Sequence, residues 1–353
     1  MPTLTVTGSA IRGIASAVPA GRQDASNLAA MFGEEEAQKI AQSTGVKTRR
    51  VAPQEQCCSD LCLAATETLL KNLDWDRGSI DAIIFVSQSF DYPLPATSCI
   101  LQTRLGLSKK CAAFDVGLGC SGYVYGLWIA SGLIKSGCRR VLLLAGDMSS
   151  RGLSPHDRSA VPLFGDAGSA TLLEKDDQAI AHFELGTDGS GYQHLIRKAG
   201  TAPGRLPHTE QTMIRKQQSD GIVRSDEDLF MNGAEIFAFT LREVPPLISS
   251  ILKCAQWTKD EVDRYFFHQA NKFMLDYLIK KMGLPAGRVP MVLEHYGNTS
   301  SASIPLAISH SSGEILGKQR LKVVMAGFGV GLSWGAAALE MGPILAPPVV
   351  EVS

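Results

Sequence analysis

A chain of 353 residues exceeds what one ordinary small core needs and fits either two domains of usual size or one large duplicated unit. With 45% hydrophobic and 20% charged residues and no low-complexity tract, disorder is excluded as the default state. The balance of 34 basic against 35 acidic residues leaves a formal net charge of −1, so no global field favours nucleic acid or an anionic membrane.

The opening MPTLTVTGSAIRG alternates apolar and small polar residues like a strand and lacks the basic start and apolar core of a signal peptide. The segment from Leu69, LLKNLDWDRGSIDAIIFVSQS, reads as an amphipathic helix, an acidic turn and an apolar strand. AAFDV (112–116) is strand-like and leads through a glycine-rich turn to Cys120. Beyond it, Tyr123, Leu127, Ala130, Leu133 and Ile134 have helical spacing. RVLLLAG is a second apolar strand, and TLLEKDD marks a boundary near 175–185. YFFHQAN carries His268 from an apolar strand into the amphipathic KFMLDYLIKKMG, and EHYGNTSSASIPLAI sets Asn298 in a turn of small polar residues. Val323–Leu339 is uncharged but short for a membrane span and reads as buried strands joined by a tight turn, so no membrane insertion is expected.

The chain also repeats itself. Lys71, Trp75 and Asp81 match Lys253, Trp257 and Asp263 at a constant separation of 182 positions, and Ala145 and Gly146 match Ala326 and Gly327 at 181. Apolar runs without clean alternation imply strands covered on both faces. The expected architecture is two similar α/β halves, 1–178 and 179–353, whose sheets sandwich shared helices.

Eight cysteines without a CxxC pair or a secretory signal read as free thiols in a reducing cytoplasm. Among them Cys120 stands out. A cysteine between a glycine-rich turn and a helix start faces free backbone N–H groups and the positive end of the dipole, which is expected to lower its pKa. His268 alone, at a strand end, reads more readily as a structural hydrogen-bonding residue than as a catalytic one, and Asn298 alone is ordinary turn chemistry. Seven scattered histidines and no carboxylates at ligand spacing give no metal site.

Taken together, AFDVGLGCSG, HQAN and GNTSSAS resemble in order and spacing the Cys, His and Asn motifs of the β-ketoacyl-ACP synthase III family. SPHDRSAVPLFGDAGSA (154–170) and GFGVGLSWG (327–335) extend that resemblance over nearly the whole chain. The resemblance implies the thiolase fold, a layered α-β-α-β-α sandwich, with Cys120, His268 and Asn298 as catalytic residues. It implies that Cys120 takes an acyl group from a thioester, with the backbone N–H groups of Cys120 and Val330 as oxyanion hole. His268 and Asn298 would then stabilise the enolate formed when a malonyl thioester loses CO₂. Substrate contacts are implied at Arg158, Leu94, Gly233, Phe237 and Asn271, a homodimer as the assembly, and an acyl carrier protein as partner. No cofactor is implied beyond the acyl and malonyl thioesters. Lys272, Lys280 and Lys281, with Arg288 beyond, form a basic run suited to an acidic carrier.

Departures from the pattern point to a specialised pathway. Where housekeeping members place a Trp and an Arg against the adenine of coenzyme A, this chain has Lys39 and Ser43, ahead of the retained Thr44 and Gly45. Each lost stacking contact is worth roughly 1–3 kcal/mol, so coenzyme A is not the expected preferred donor. Val330 replaces a family glycine, and Leu94 stands where many members use a Phe to close the acyl pocket. Housekeeping initiation of fatty acid synthesis and an acyltransferase using the same Cys and His are the alternatives. A thiolase would need a second catalytic cysteine late in the chain, and none follows Cys254.

Overall fold

The computed structural model describes residues 3–200 and 206–353. Nine strands form one continuous hydrogen-bonded sheet system: β1 (Thr3–Pro19), β2 (Ala82–Val86), β3 (Ala112–Val116), β4 (Arg140–Met148), β5 (Asp166–Thr187), β6 (Arg264–Phe267), β7 (Leu321–Gly329), β8 (Ser333–Met341) and β9 (Val350–Val352). The principal helices are α1 (Ala25–Phe32), α2 (Glu34–Thr44), α3 (Cys58–Leu73), α4 (Thr97–Arg104), α5 (Gly122–Lys135), α6 (Gly233–Ala255), α7 (Lys272–Met282) and α8 (Ser303–Leu316).

Two strands are long enough to serve both halves. The first part of β5 pairs with β4 and its last part with β8, while β1 runs antiparallel to β5 from Thr3↔Glu184 to Ala17↔Gly168. The N-terminal half therefore has the order β3-β2-β4-β5-β1 and the C-terminal half β6-β7-β8-β5-β1. The β1–β5 register shifts between Thr7 and Gly8, opposite Asp176 and Ile180, so residue 178 falls in this irregularity and inside a strand.

Side-chain alternation then builds the layers, because successive residues of a strand face opposite ways. Ile84 and Val86 of β2, Val141, Leu143 and Ala145 of β4, and Val323 and Met325 of β7 share one core with α5 and α8, between the two sheets. The alternate residues Ile83, Phe85, Leu142 and Leu144 face α3 and α4 outside the N-terminal sheet. Val324 and Ala326 face α6 and α7 outside the C-terminal one. Helix, sheet, helices, sheet, helix is the five-layer sandwich that the resemblance implies, built on the two halves that the repeat marks. Equivalent positions carry it: α3 and α6, β2 and β6, β4 and β7.

Helix α5 lies unusually close to its sheet. A Cβ at Gly122 would come within 2.6 Å of Val86 Cγ1, and one at Gly126 within 2.7 Å of Leu143 Cδ1. Glycine at both positions lets the helix axis approach, and that approach fixes the height of Cys120 above β2.

Candidate active site

Cys120 is 7% exposed and lies two residues before α5, at the end of the turn leaving β3. Its sulfur is 3.9 Å from Ser300 Oγ. The backbone N–H groups of Val330 and of Cys120 itself also face the sulfur, which brings the two expected oxyanion donors to one atom. The β7–β8 turn reaches the cysteine because Gly329 lacks a side chain: a Cβ there would sit 2.9 Å from the Cys120 sulfur.

The sequence reading of a lowered Cys120 pKa does not survive. Burial pushes the thiol up to about 11, and the Val330 N–H and Ser300 hydroxyl only partly oppose it. The buried carboxylate of Asp147 adds to the rise.

His268 is buried one residue beyond β6, and its ring packs edge-on against Phe328 with centroids 5.6 Å apart. Burial lowers its pKa to about 3, so the imidazole is neutral. Its Nδ1 lies 2.8 Å from Ser303 Oγ, and that hydroxyl is also 2.8 Å from the Ser300 carbonyl, to which it can donate.

Asn298 is held on its backbone by the loop after Arg158: its N–H donates to Leu163 O at 2.8 Å and its carbonyl accepts from Gly165 N at 3.0 Å. Its Oδ1 accepts from Ser300 N at 3.0 Å, and Nδ2 donates to Ala270 O at 3.3 Å, leaving one amide hydrogen free. Ser300, with φ of 50°, touches all three: its hydroxyl the Cys120 sulfur, its backbone the His268 ring and Asn298 Oδ1.

Three contributors escaped the sequence reading. Ser300 and Ser303 sit in a polar turn that gives no signal of its own. Asp147 ends β4 where the equivalent strand β7 has Phe328. It accepts from Gln88 N at 2.7 Å and Ser87 Oγ at 3.2 Å on one oxygen, and from Ser301 N at 3.2 Å and Ser301 Oγ at 2.8 Å on the other. It thereby ties the cysteine half to the asparagine loop. The signal available was a lone acid ending an otherwise apolar strand.

The remaining expected site residues are scattered. Gly233 opens α6 with empty space around it, and Phe237 packs against a tilted Phe273 and an edge-on Tyr277, with centroids at 5.4 and 5.5 Å. Asn271 is occupied as the N-cap of α7, accepting from Met274 N at 2.8 Å. Leu94 is 81% exposed. Arg158 is exposed and 3.7 Å from Glu36, in the acidic first turn of α2. In the same helix Lys39 pairs with Glu35 and Ser43 bonds back to Ile40 O. The basic run is thinner than the sequence suggested: Lys272 pairs with Asp276, Lys281 bonds Leu241 O at 3.0 Å, and Arg288 bonds Val262 O at 2.8 Å. Among the described residues, no cluster of three metal-ligating side chains occurs and no helix is long and apolar enough to cross a membrane.

A buried cysteine, a neutral histidine and a donor asparagine converge from the two halves of a five-layer sandwich, and such a fold and site define a condensing enzyme of the thiolase superfamily. The 3-oxoacyl-[acyl-carrier-protein] synthase III family matches at residues 114–189, and its C-terminal region at 252–341. The β-ketoacyl-[acyl-carrier-protein] synthase III of Nostoc sp. is 34% identical over 338 residues, covering 95% of this chain and 98% of that one. The crystal structure of a 3-oxoacyl-(acyl-carrier protein) synthase from Burkholderia xenovorans LB400 superposes with a TM-score of 0.93 at 44% identity, covering 99% of each chain. That of the priming β-ketosynthase of the R1128 polyketide pathway gives 0.81 at 26%, covering 97% of this chain and 98% of the other. This chain belongs to the β-ketoacyl-ACP synthase III family.

Proposed function

We propose that the protein transfers an acyl group from a thioester donor to Cys120 and then condenses it with a malonyl thioester, losing CO₂, in a specialised pathway in the cytoplasm. The observation that carries this reading is the convergence on one sulfur of two backbone N–H groups and the Ser300 hydroxyl, in a cavity of about 110 Å³. Attack on the donor carbonyl would place developing negative charge on an oxygen held by such N–H groups.

With a thiol pKa of about 11, a free thiolate at pH 7 costs about 5 kcal/mol, so proton removal must accompany attack. With its own pKa near 3, His268 is too weak a base to hold that proton, so the Cys120 proton is passed to the sulfur of the departing donor as attack proceeds; when Ser303 accepts from the His268 Nδ1–H, Nε2 is left bare to accept a hydrogen bond. When the Ser303 hydroxyl instead donates to Nδ1, Nε2 carries the hydrogen and can join Asn298 Nδ2 in donating to the malonyl carbonyl. The enolate left by CO₂ then attacks the acyl-Cys120 carbonyl.

Support for a specialised role comes from the cofactor mouth. Glu36 beside Arg158, and Lys39 turned to Glu35, make it a poor seat for the phosphates and adenine of coenzyme A, so an acyl carrier protein is the proposed donor. The half-exposed free edge at β3 is the proposed two-fold interface of a homodimer.

The test is incubation with acyl-CoA and acyl-carrier donors, locating the label by peptide mass, followed by CO₂ release from a malonyl substrate. Label on Cys120, lost in Cys120→Ala, with CO₂ release is the expected outcome. Label on Cys111 or Cys138 overturns it. Label on Cys120 without CO₂ release would make the chain an acyltransferase to another nucleophile.

A further inference from the structure

The cavity holding Cys120 is not lined as a plain hydrocarbon pocket. Phe164, Leu195 and Leu229 form apolar walls, but Arg151 and Arg197 line it as well. A second cavity of about 280 Å³ adjoins it, and the residues common to both are Gln88, Ser89, Met148, Arg151 and Arg197. Two guanidinium groups thus stand where a chain running from Cys120 would pass out of the inner cavity.

Neither arginine has a carboxylate within ion-pair distance among the described residues, and residues 201–205, TAPGR, contain no acid. Arg151 is spent on the loop before α3, bonding the carbonyls of Pro53, Gln54 and Gln56 through Nη2. Arg197 is different. Among the described residues its one hydrogen bond runs from Nε to Glu227 O at 2.8 Å, while the Glu227 carboxylate, near enough to feel that charge, is hydrogen-bonded to His208. Its guanidinium lies over Gly152, where a Cβ would come within 2.9 Å of Cζ, and Gly152 lines the same cavity in a left-handed conformation, φ 81°. The space a side chain would fill is given to the guanidinium. Of the other acids nearby, Asp147 is engaged by Ser87, Gln88 and Ser301, while Asp91, which lines the second cavity, accepts from Ser59 on Oδ2 and has no partner among the described residues on its buried Oδ1.

Arg197 is exposed at this mouth, so an apolar acyl chain would leave its Nη groups to water, whereas a chain ending in a carboxylate would meet them as a bidentate acceptor. We infer that the acyl group loaded on Cys120 carries a distal carboxylate, so that the donor is the thioester of a short dicarboxylic acid, with Arg197 as the specificity-determining residue. This rests on the acyl-transfer reading above. In the loading step the Cys120 sulfur–carbon bond forms as the donor's carbon–sulfur bond breaks. The Cys120 proton leaves with the donor thiol, and the distal carboxylate takes no part in bond making.

Succinyl and adipoyl thioesters, set against butyryl and hexanoyl ones, test this as coenzyme A esters and as phosphate-free N-acetylcysteamine esters. Acyl-Cys120 formation is followed by peptide mass for the wild type, Arg197→Leu and Arg197→Lys. The expected result is at least tenfold faster loading of the dicarboxylic member of each pair by the wild type. Arg197→Leu should invert that preference, losing about ten- to a hundredfold on the dicarboxylic chain while gaining on the apolar one, and Arg197→Lys should keep part of it. Preference of the wild type for butyryl or hexanoyl overturns the inference and leaves the acyl-transfer reading intact. So does an equal loss of both classes in Arg197→Leu with the coenzyme A esters alone, which would assign Arg197 to the donor's phosphates. Absence of acyl-Cys120 with every thioester would overturn the acyl-transfer reading itself.

Discussion

At the scale of single residues, the Cys120 sulfur sits where water cannot solvate its anion, and its reactivity is expected to follow that burial. In the free protein, alkylation by iodoacetamide should rise with pH up to about 11, well beyond an ordinary cysteine near 9. A plateau near pH 7, read by mass at Cys120, would mean that the helix start outweighs burial. Ser303→Ala removes the hydroxyl that decides which nitrogen of His268 carries the hydrogen. Overall turnover should fall about tenfold, with a shifted pH profile, while Ser303→Thr restores much of it; an unchanged pH profile in the Ala variant would reduce Ser303 to a packing residue. The cysteine, histidine and asparagine were legible because each stands in a motif. Ser300, Ser303 and Asp147 were not, because serines in a small-residue turn and an acid at a strand end are ordinary in sequence and acquire meaning only from partners 35 to 180 positions away.

Among the elements, α5 shows how closely packing controls chemistry. Gly126→Leu would drive methyl groups into Leu143, so it should cost about 1–3 kcal/mol in urea unfolding and slow acylation as well, because the helix carries the Cys120 turn with it. On α7, Lys280 is the lysine of the basic run without a recorded ion pair or backbone bond among the described residues. Lys280→Glu should therefore raise KM for a carrier-bound substrate several-fold and leave small thioesters unaffected; equal losses would indicate structural damage. The apolar strands β2, β4 and β7 and the helices after Cys120 and His268 fall where the sequence patterns put them. What the pattern concealed is that two strands, β1 and β5, serve both sheets. The half-exposed Glu-Lys-Asp-Asp run from Glu174 to Asp177 reads as a boundary between halves, yet it is the irregularity in the middle of β5, where its register with β1 shifts.

For the molecule as a whole, stability should depend on acid through His268. Its folded pKa of about 3 lies below its ordinary value of 6.5, so the unfolded chain binds the extra proton first and stability is lost as pH falls from about 6.5 towards 3. At pH 5 this amounts to roughly 2 kcal/mol, and His268→Gln should flatten that part of the profile in denaturant titrations at successive pH values. Sedimentation at micromolar concentration should show twice the 37.8 kDa chain mass, and a monomer would remove the β3 interface. The two long antiparallel strands carry a further consequence. Since β1 and β5 thread both sheets, cysteine and histidine are mounted on opposite ends of one rigid beam rather than on two jaws with a hinge between them. A molecule built so has no strand break between its halves at which to open, so substrates are expected to be fed in lengthwise, tail first, and rates measured over linear and branched acyl chains should fall with the girth of the chain more sharply than with the size of whatever carries it.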